Sequence, residues 1–215
     1  MMTDNSLQQA VLDELKWEPS VNAAHIGVTA KGGVVTLSGD VSSYTEKLAA
    51  ARAARRVIGV KGVAEDIKVH YSFSKVDDTD IAQKALQTLS WDIEVPDERV
   101  KVEVEDGWVT LTGTVNWNYQ RNAAEADVRK LKGVVGVINN ISINPTVQAS
   151  DAREKIKAAL KRNAAVEADN ISIAIEGGKV TLSGEVDSWG EDDIVRNTAW
   201  AAPGVTEVID NLVVT

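Results

Sequence analysis

The chain has 215 residues, 44% hydrophobic and 26% charged, with 23 Lys and Arg against 32 Asp and Glu, for a formal net charge of −9. This composition is typical of a globular protein and excludes a disordered or fibrous one. The absence of cysteine excludes disulfides, thiolate nucleophiles and Cys-ligated zinc. Because sequence-independent affinity for nucleic acid comes from Lys and Arg that neutralise phosphates, the net acidity predicts no nucleic-acid partner.

The first residues and the hydropathy bear on location. Residues 1–7 contain neither the basic region nor the apolar stretch of a secretory signal, and no apolar run is long enough to span a bilayer. We therefore predict that the chain has no signal peptide and is cytoplasmic.

One pentapeptide, Val-Thr-Leu-Ser/Thr-Gly, occurs three times, at residues 35–39, 109–113 and 180–184. Other landmarks keep the same distances from its glycine, among them a leucine 24 residues before it and a second glycine 20 residues after it. Chance does not reproduce several landmarks in one register three times, so the chain consists of three copies of one small domain. We predict domains at residues 1–72, 78–144 and 150–215, called repeats 1, 2 and 3 below.

Each repeat begins with an amphipathic helix. Apolar residues recur there at a spacing of four, which places them on one helix face. They are Leu7, Val11 and Leu15 in repeat 1, Ile81, Ala85 and Leu89 in repeat 2, and Ala152, Ile156 and Leu160 in repeat 3.

Two strands follow in each repeat. Apolar residues alternate with polar or small ones over residues 26–30, 100–104 and 171–175, which predicts half-buried strands. Each run ends in Gly-Gly or Asp-Gly, the residues that a two-residue hairpin turn requires. The pentapeptide is therefore the returning antiparallel strand, with its valine and leucine facing the helices.

A second helix and a last strand complete the repeat. We predict these helices from about Tyr44 to Ile58, Tyr119 to Lys132 and Gly190 to Ala202. A strand, a helix and a strand in succession imply a right-handed crossover, so each sheet is mixed. The predicted fold class is α+β: three tandem αββαβ repeats, each a small mixed three-stranded sheet covered by two helices on one face. The connectors, residues 71–77 and 144–150, are short enough to be tight.

These landmarks resemble the BON domain, named for bacterial osmotically inducible and nodulation proteins. The residues that carry the resemblance are the Val-Thr-Leu-Ser-Gly-Asp/Glu-Val strand, the Ala-rich helix, the Gly-Val turn and the closing Asn/Asp-Ile/Leu strand. The resemblance covers nearly the whole chain. It implies a bacterial αββαβ module that binds phospholipid or a membrane surface, found in envelope and osmotic-stress proteins, with no catalytic residues to carry over.

Residue patterns for catalysis or metal binding are weak. The two histidines, His25 and His70, both lie in repeat 1 with no predicted partner for acid-base chemistry. The carboxylate runs at residues 77–80 and 191–193 lack the spacing of a calcium loop and stand at helix starts, where they favour capping. We predict no enzyme activity, no cofactor and no metal.

Charge is uneven between the repeats. Residues 1–75 carry 9 Lys and Arg against 8 Asp and Glu, whereas residues 76–148 and 149–215 each carry 7 against 12. A solvated helix face explains the basic residues of repeat 1, and contact with lipid headgroups is the functional alternative. The candidate headgroup contacts are Lys47, Arg52, Arg55, Arg56 and Lys61.

The six tryptophans divide by their position in the repeat. Trp17 and Trp91 share one position at the end of the first helix, which predicts core or helix-cap packing. The other four have no tryptophan counterpart and indicate a contact surface. Contact between repeats, a subunit interface, a small-molecule pocket and membrane insertion all remain open for them. These candidate interface aromatics are Trp108, Trp117, Trp189 and Trp200.

Two functional hypotheses follow. The first is a non-enzymatic binding protein that associates peripherally with anionic phospholipid at the inner membrane, with the link to envelope or osmotic stress implied by the resemblance alone. The alternative is a homo-oligomeric scaffold or pore-like assembly that handles small molecules between its repeats, in transport or resistance.

Overall fold

The computed structural model describes residues 3–70, 76–144, 152–163 and 170–214. Within these ranges each repeat contains a helix, two strands, a second helix and a third strand, in the predicted order. In repeat 1 they are α1 (Asp4–Trp17), β1 (Ile26–Lys31), β2 (Val34–Val41), α2 (Tyr44–Arg55) and β3 (Gly62–Val69). In repeat 2 they are α3 (Asp78–Trp91), β4 (Val100–Glu105), β5 (Trp108–Val115), α4 (Asn118–Val128) and β6 (Gly136–Ile143). In repeat 3 they are α5 (Ala152–Lys161), β7 (Ile171–Glu176), β8 (Lys179–Val186), α6 (Trp189–Trp200) and β9 (Glu207–Val214).

Each repeat forms its own three-stranded sheet, with the hairpin strand in the centre: β1-β2-β3, β4-β5-β6 and β7-β8-β9. In repeat 1, β1 pairs antiparallel with β2 in the register Ile26↔Gly39, and β2 pairs parallel with β3. Repeat 3 has the same register, Ile171↔Gly184. The predicted α+β class with three mixed sheets is confirmed.

The predicted helix stripes form the core. Leu7, Val11 and Leu15 of α1 are buried with Val35 and Leu37 of β2, and alanines of α2 complete the same cluster. The two helices also contact each other, so both cover one face of the sheet. Repeat 3 is built alike from the stripe residues of α5 and α6 against its own hairpin. Because these segments are amphipathic, burying one face of each is the main stabilising term.

Glycine is required at the end of the pentapeptide by backbone geometry. Gly39 and Gly184 have φ values of 121° and 138°. A Cβ at either position would collide with the backbone carbonyl oxygen that precedes the first strand, of His25 or Asn170. The motif glycine therefore allows close approach within the hairpin and does not end the strand, which continues for two more residues.

The connectors cannot be compared with the prediction, because residues 71–75 and 145–151 lie outside the described residues. The chain divides into two compact units. The first contains Met1–Trp91, Val102–Thr110 and Glu125–Ile138, and the second contains the remaining residues. Repeat 1 thus belongs wholly to the first unit and repeat 3 wholly to the second. The three domain boundaries stay a prediction.

Candidate binding surfaces

The second helix begins differently in repeat 2. In repeats 1 and 3 a serine caps the helix and a glutamate three residues later folds back, as in Ser43 with Glu46 and Ser188 with Glu191. Repeat 2 keeps only the second half of this capping box. There the Gln120 side chain accepts hydrogen bonds from the backbone N–H groups of Asn116 and Trp117. Trp117 occupies the position of the serine. Repeat 2 therefore has a large aromatic side chain where the other repeats have a hydroxyl oxygen that caps the helix.

Trp117 and Trp200, two of the predicted interface aromatics, line the same groove. It has a volume of about 510 Å³ and lies between the start of α4 and the end of α6. Its other lining residues are Asn118, Tyr119, Asn122, Asn197 and Ala201. Aromatic walls with a few amide groups are typical of sites that take a small polar molecule.

Two polar groups stand out at this groove, Asn118 in its lining and Arg121 against the ring of Trp200. The Asn118 side chain is buried, and its Oδ1 atom has no hydrogen-bond partner. The Arg121 guanidinium lies 4.7 Å from the centre of the Trp200 ring, a cation–π distance. A buried polar atom without a partner costs free energy, which makes the Asn118 oxygen a candidate acceptor for a molecule in the groove.

The remaining two candidate aromatics take other positions. Trp108 lies against Gly136 of the neighbouring strand, where a Cβ would collide with its ring. About half of its surface is exposed. Trp189 is the first residue of α6 and is half-buried. Neither lines the groove, so the structure groups two of the four candidate tryptophans and separates the other two.

Repeat 1 meets repeat 2 at the positions that correspond to this groove. Tyr44, the first residue of α2, is half-buried and receives a hydrogen bond from the Val137 backbone. Burial raises the pKa of Tyr44, with Glu125 adding to the effect while the Val137 hydrogen bond and Arg129 oppose it. Glu125 and Arg129 belong to α4 and the turn after it. The start of α2 in repeat 1 is thus close to the end of α4 in repeat 2.

The basic residues predicted to contact headgroups are partly engaged within repeat 1. Arg56 donates hydrogen bonds to Glu14 and Glu18, at 3.0 and 2.9 Å. Arg55 forms an ion pair with Glu65 at 3.6 Å. Their intramolecular partners reduce the net positive potential at this end of the helix.

The other predicted cations differ in position. Arg52 and Lys61 are exposed, and Lys47 is half-buried near the start of α2. Lys47 therefore stands two helical turns away from Arg55. The role of all five cations stays a prediction.

The most exposed large apolar side chains are those of Ile93, Ile58, Trp17 and Trp91, and the packing predicted for the two tryptophans is wrong. Trp17 and Trp91 are 82% and 78% exposed and do not pack in a core. Each follows the last buried leucine of its stripe by two residues, about 200° around the helix, and so points away from the sheet. The spacing of the stripe residues therefore predicts that both tryptophans are exposed. Ile58, after the end of α2, is 87% exposed.

The acidic runs serve three different purposes. Asp78 accepts hydrogen bonds from the N–H groups of Asp106 and Gly107 and so ties α3 to the hairpin turn. Glu191 caps α6, as predicted for its run. Asp192 does not cap: it is buried, 3.5 Å from Arg196. Burial, followed by the charge of Asp210, raises the pKa of Asp192 to about 6.

The histidines lie at separate places on the surface. His25 ends a short 3-10 turn, and His70 follows β3, where its Nε2 atom is 3.1 Å from Asp40. The side chains of His70 and Asp40 are both well exposed. Within the described ranges no group of three or more His, Asp or Glu is placed to hold a metal ion. No helix of the described chain has the length and apolarity needed to cross a bilayer.

The fold and these surfaces define a class of tandem αββαβ modules whose distinctive residues lie at helix ends. A family model for the BON domain matches residues 3–71, 77–145 and 148–215. The chain therefore belongs to the BON domain family, and its three repeats are BON domains.

A curated relative and two solved structures are similar to this chain. Osmotically-inducible protein Y of Escherichia coli (strain K12) is 32% identical over 147 residues, which cover 65% of this chain and 72% of that protein. A structure of CdsD, a structural protein of the type III secretion system of Chlamydia trachomatis, matches at 17% identity and a TM-score of 0.27, over 96% of this chain and 91% of that one. The PrgH periplasmic domain matches at 10% identity and a TM-score of 0.22, over 95% and 99%.

Proposed function

We propose that this protein binds the surface of anionic phospholipid membranes through one end of repeat 1, as a non-enzymatic component of an osmotic-stress response. The stress connection is supported by the name of the E. coli relative. The observation that carries the membrane proposal is the exposure of Trp17 and Ile58, at the ends of the two helices of one repeat.

The two helix ends are held together. Arg56 follows α2, and its guanidinium bonds both Glu14 and Glu18 at the end of α1. Trp17 and Ile58 are therefore presented from one end of the repeat. Large apolar side chains without intramolecular cover mark interaction sites, and tryptophan is favoured at the interface between membrane and water.

The charge near these apolar residues suits an anionic surface. Lys16, which pairs with Asp13 at 3.4 Å, lies beside Trp17, and Arg52 and Lys61 flank the turn that contains Ile58. Each cation close to an anionic membrane contributes about 1 kcal/mol, an effect that salt screens. Because Arg55 and Arg56 are ion-paired, we assign the larger electrostatic share to Arg52 and Lys61.

Vesicle flotation tests the proposal. The full chain should co-float with vesicles of phosphatidylglycerol and phosphatidylcholine at low salt, and should float less with phosphatidylcholine alone. Trp17→Ala with Ile58→Ser should reduce binding about tenfold, since apolar burial at the interface is lost. Arg52→Glu with Lys61→Glu should reduce binding at low salt more than at high salt.

Two matched variants serve as controls. Trp91→Ala removes the equally exposed tryptophan at the same position of repeat 2, and Lys84→Glu reverses an exposed charge on α3. Both should float like the wild type. Wild-type protein that stays with the unbound fraction, or a Trp17 and Ile58 variant that floats normally, would refute the membrane proposal.

The groove favours a second candidate function, the binding of a small polar solute such as a sugar. Trp117 and Trp200 offer ring faces, and the Asn118, Asn122 and Asn197 amides line the same space. Titration with mono- and disaccharides should change tryptophan fluorescence in the wild type and not in Asn118→Ala. An unchanged spectrum at millimolar sugar rules this candidate out.

A further inference from the structure

Neighbouring repeats contact each other twice in the chain, through the same positions each time. A third contact of the same kind would be possible between two copies of the chain. In the first contact, Tyr44 lies 5 residues after the motif glycine Gly39, and Arg129 lies 16 residues after the motif glycine Gly113. In the second, Asn118 and Trp200 occupy the same two positions and line one groove. The start of a second helix therefore meets the end of the following repeat's second helix each time.

These two contacts do not involve the start of the second helix in repeat 3 or the end of the second helix in repeat 1. The start of α6 in repeat 3, here called the tail surface, contains Trp189 and Asp193 at positions that correspond to Tyr44 and Leu48. The end of α2 in repeat 1, here called the head surface, contains Arg52 and Arg55. We propose that copies of this chain associate head to tail, with the tail surface of one copy packed against the head surface of the next.

The residue types fit this contact. Trp189 would face Arg55, as an aromatic ring and an arginine are also close between repeats 1 and 2, where burial raises the pKa of Tyr44 and the charge of Arg129 opposes that rise. In the contact between repeats 2 and 3 the two residue types are exchanged, with Arg121 of α4 over the ring of Trp200 at the end of α6. An arginine beside an aromatic ring thus occurs in both existing contacts, as a cation–π pair in the second, and the third contact would supply another.

Charge supports the same pairing. Three carboxylates around α6, those of Asp192, Asp193 and Asp210, share the one guanidinium of Arg196, which leaves the tail surface acidic. The Asp193 side chain is 61% exposed. On the head surface Arg52 is exposed, and repeat 1 has the only positive balance of charge among the three repeats. Opposite fields of this kind orient association and weaken with salt.

The geometry of the pairing determines its stoichiometry. A contact between two different surfaces of one chain is heterologous, so it builds rings or filaments rather than a two-fold dimer. A copy with a defective tail and a copy with a defective head still retain one intact surface each. Mixed together, they should form a one-to-one complex and nothing larger.

Sedimentation velocity of the full chain without lipid tests the inference. At micromolar concentration the wild type should form species larger than the 23.1 kDa monomer, and these should shrink at high salt. Trp189→Ala with Asp193→Lys, the tail variant, and Arg52→Glu with Arg55→Glu, the head variant, should each be monomeric alone. An equimolar mixture should give the dimer mass.

The controls separate this inference from loss of folding and from the membrane proposal. Circular dichroism of both variants should match the wild type, and Lys84→Glu should assemble normally. Vesicle flotation of the tail variant should be unchanged, since the tail surface lies in repeat 3. A wild type that is monomeric throughout, variants that assemble like it, or a mixture that stays monomeric would overturn head-to-tail association.

Discussion

Repeats 1 and 3 have the same scaffold and opposite surface chemistry. Their hairpins share one register, and their second helices begin with the same serine–glutamate capping box. In repeat 1 one arginine, Arg56, bridges the carboxylates of Glu14 in α1 and Glu18 just after it. In repeat 3 one arginine, Arg196, is shared by three carboxylates. The fold therefore restricts the buried positions and leaves the helix ends free to diverge.

The divergence extends to how each repeat responds to pH. Hydrogen bonds from Ser20 and Arg56 lower the pKa of Glu18 to about 2, so its ionised form stabilises repeat 1. Burial and Asp210 raise the pKa of Asp192 to about 6, so its protonated form stabilises repeat 3. Mild acid should consequently favour repeat 3, and strong acid should weaken repeat 1.

The largest expected effect comes from the motif glycines, and it tests whether repeats 1 and 3 have the same scaffold. Gly39→Ala and Gly184→Ala should each destabilise their own repeat by at least about 3 kcal/mol, because positive φ and a backbone collision act together. Hydrogen exchange of the affected hairpin should report the loss. Gly32→Ala, where φ is positive but the space is open, should cost only about 1 kcal/mol. Unequal losses at Gly39 and Gly184 would show that the scaffolds are not equivalent.

Asp192→Asn should produce the next largest change. The native pKa of Asp192 lies above its unfolded value, so the stability it provides is complete below pH 3.8 and disappears as the pH rises through about 6. The variant should therefore melt higher than the wild type at pH 7 and no higher near pH 4. Thermal unfolding across this range measures the difference. Glu185→Gln matches the change in net charge, and an equal gain there would attribute the effect to overall charge.

Glu18→Gln should have a smaller effect of opposite sign. The pKa of Glu18 is lowered in the native state, so its contribution is present above pH 4.5 and is lost as the pH falls towards 2. The variant should be less stable than the wild type at pH 7, and the difference should be smaller at pH 3. Urea unfolding at pH 7 and pH 3 measures this. A difference that stays constant with pH would contradict the assigned pairing with Arg56.

Trp117→Ser should have the smallest effect on stability. It makes the capping box of repeat 2 match those of repeats 1 and 3, which should stabilise α4 by up to about 1 kcal/mol. It also removes one wall of the groove, so any fluorescence response to a solute should disappear. Loss of stability would indicate that Trp117 packs as a structural residue, and Trp108→Ala provides a comparison outside the groove.

How far the sequence predicted the site depends on the kind of interaction. The prediction of the helix stripes that end at Leu15 and Leu89 is confirmed, whereas the predicted packing of Trp17 and Trp91, two residues further on, is wrong. The helix period places both tryptophans on the opposite face, and that period can be read from the sequence. By contrast, the ion pairs of Arg56 and the approach of Asp210 to Asp192 join residues far apart in the chain, and no local pattern contains them.

The sequence by itself determined the number of repeats, their αββαβ order and the faces that are buried. It could do so because hydrophobic periodicity and turn glycines act over a few residues and were repeated three times. Only the tertiary structure decided that Trp117 and Trp200 share a groove, that Asn118 has an unpaired oxygen there, and that Arg55 and Arg56 are ion-paired. Contacts between helix ends depend on how whole elements pack, and the spacing of residues along one element carries no record of that packing.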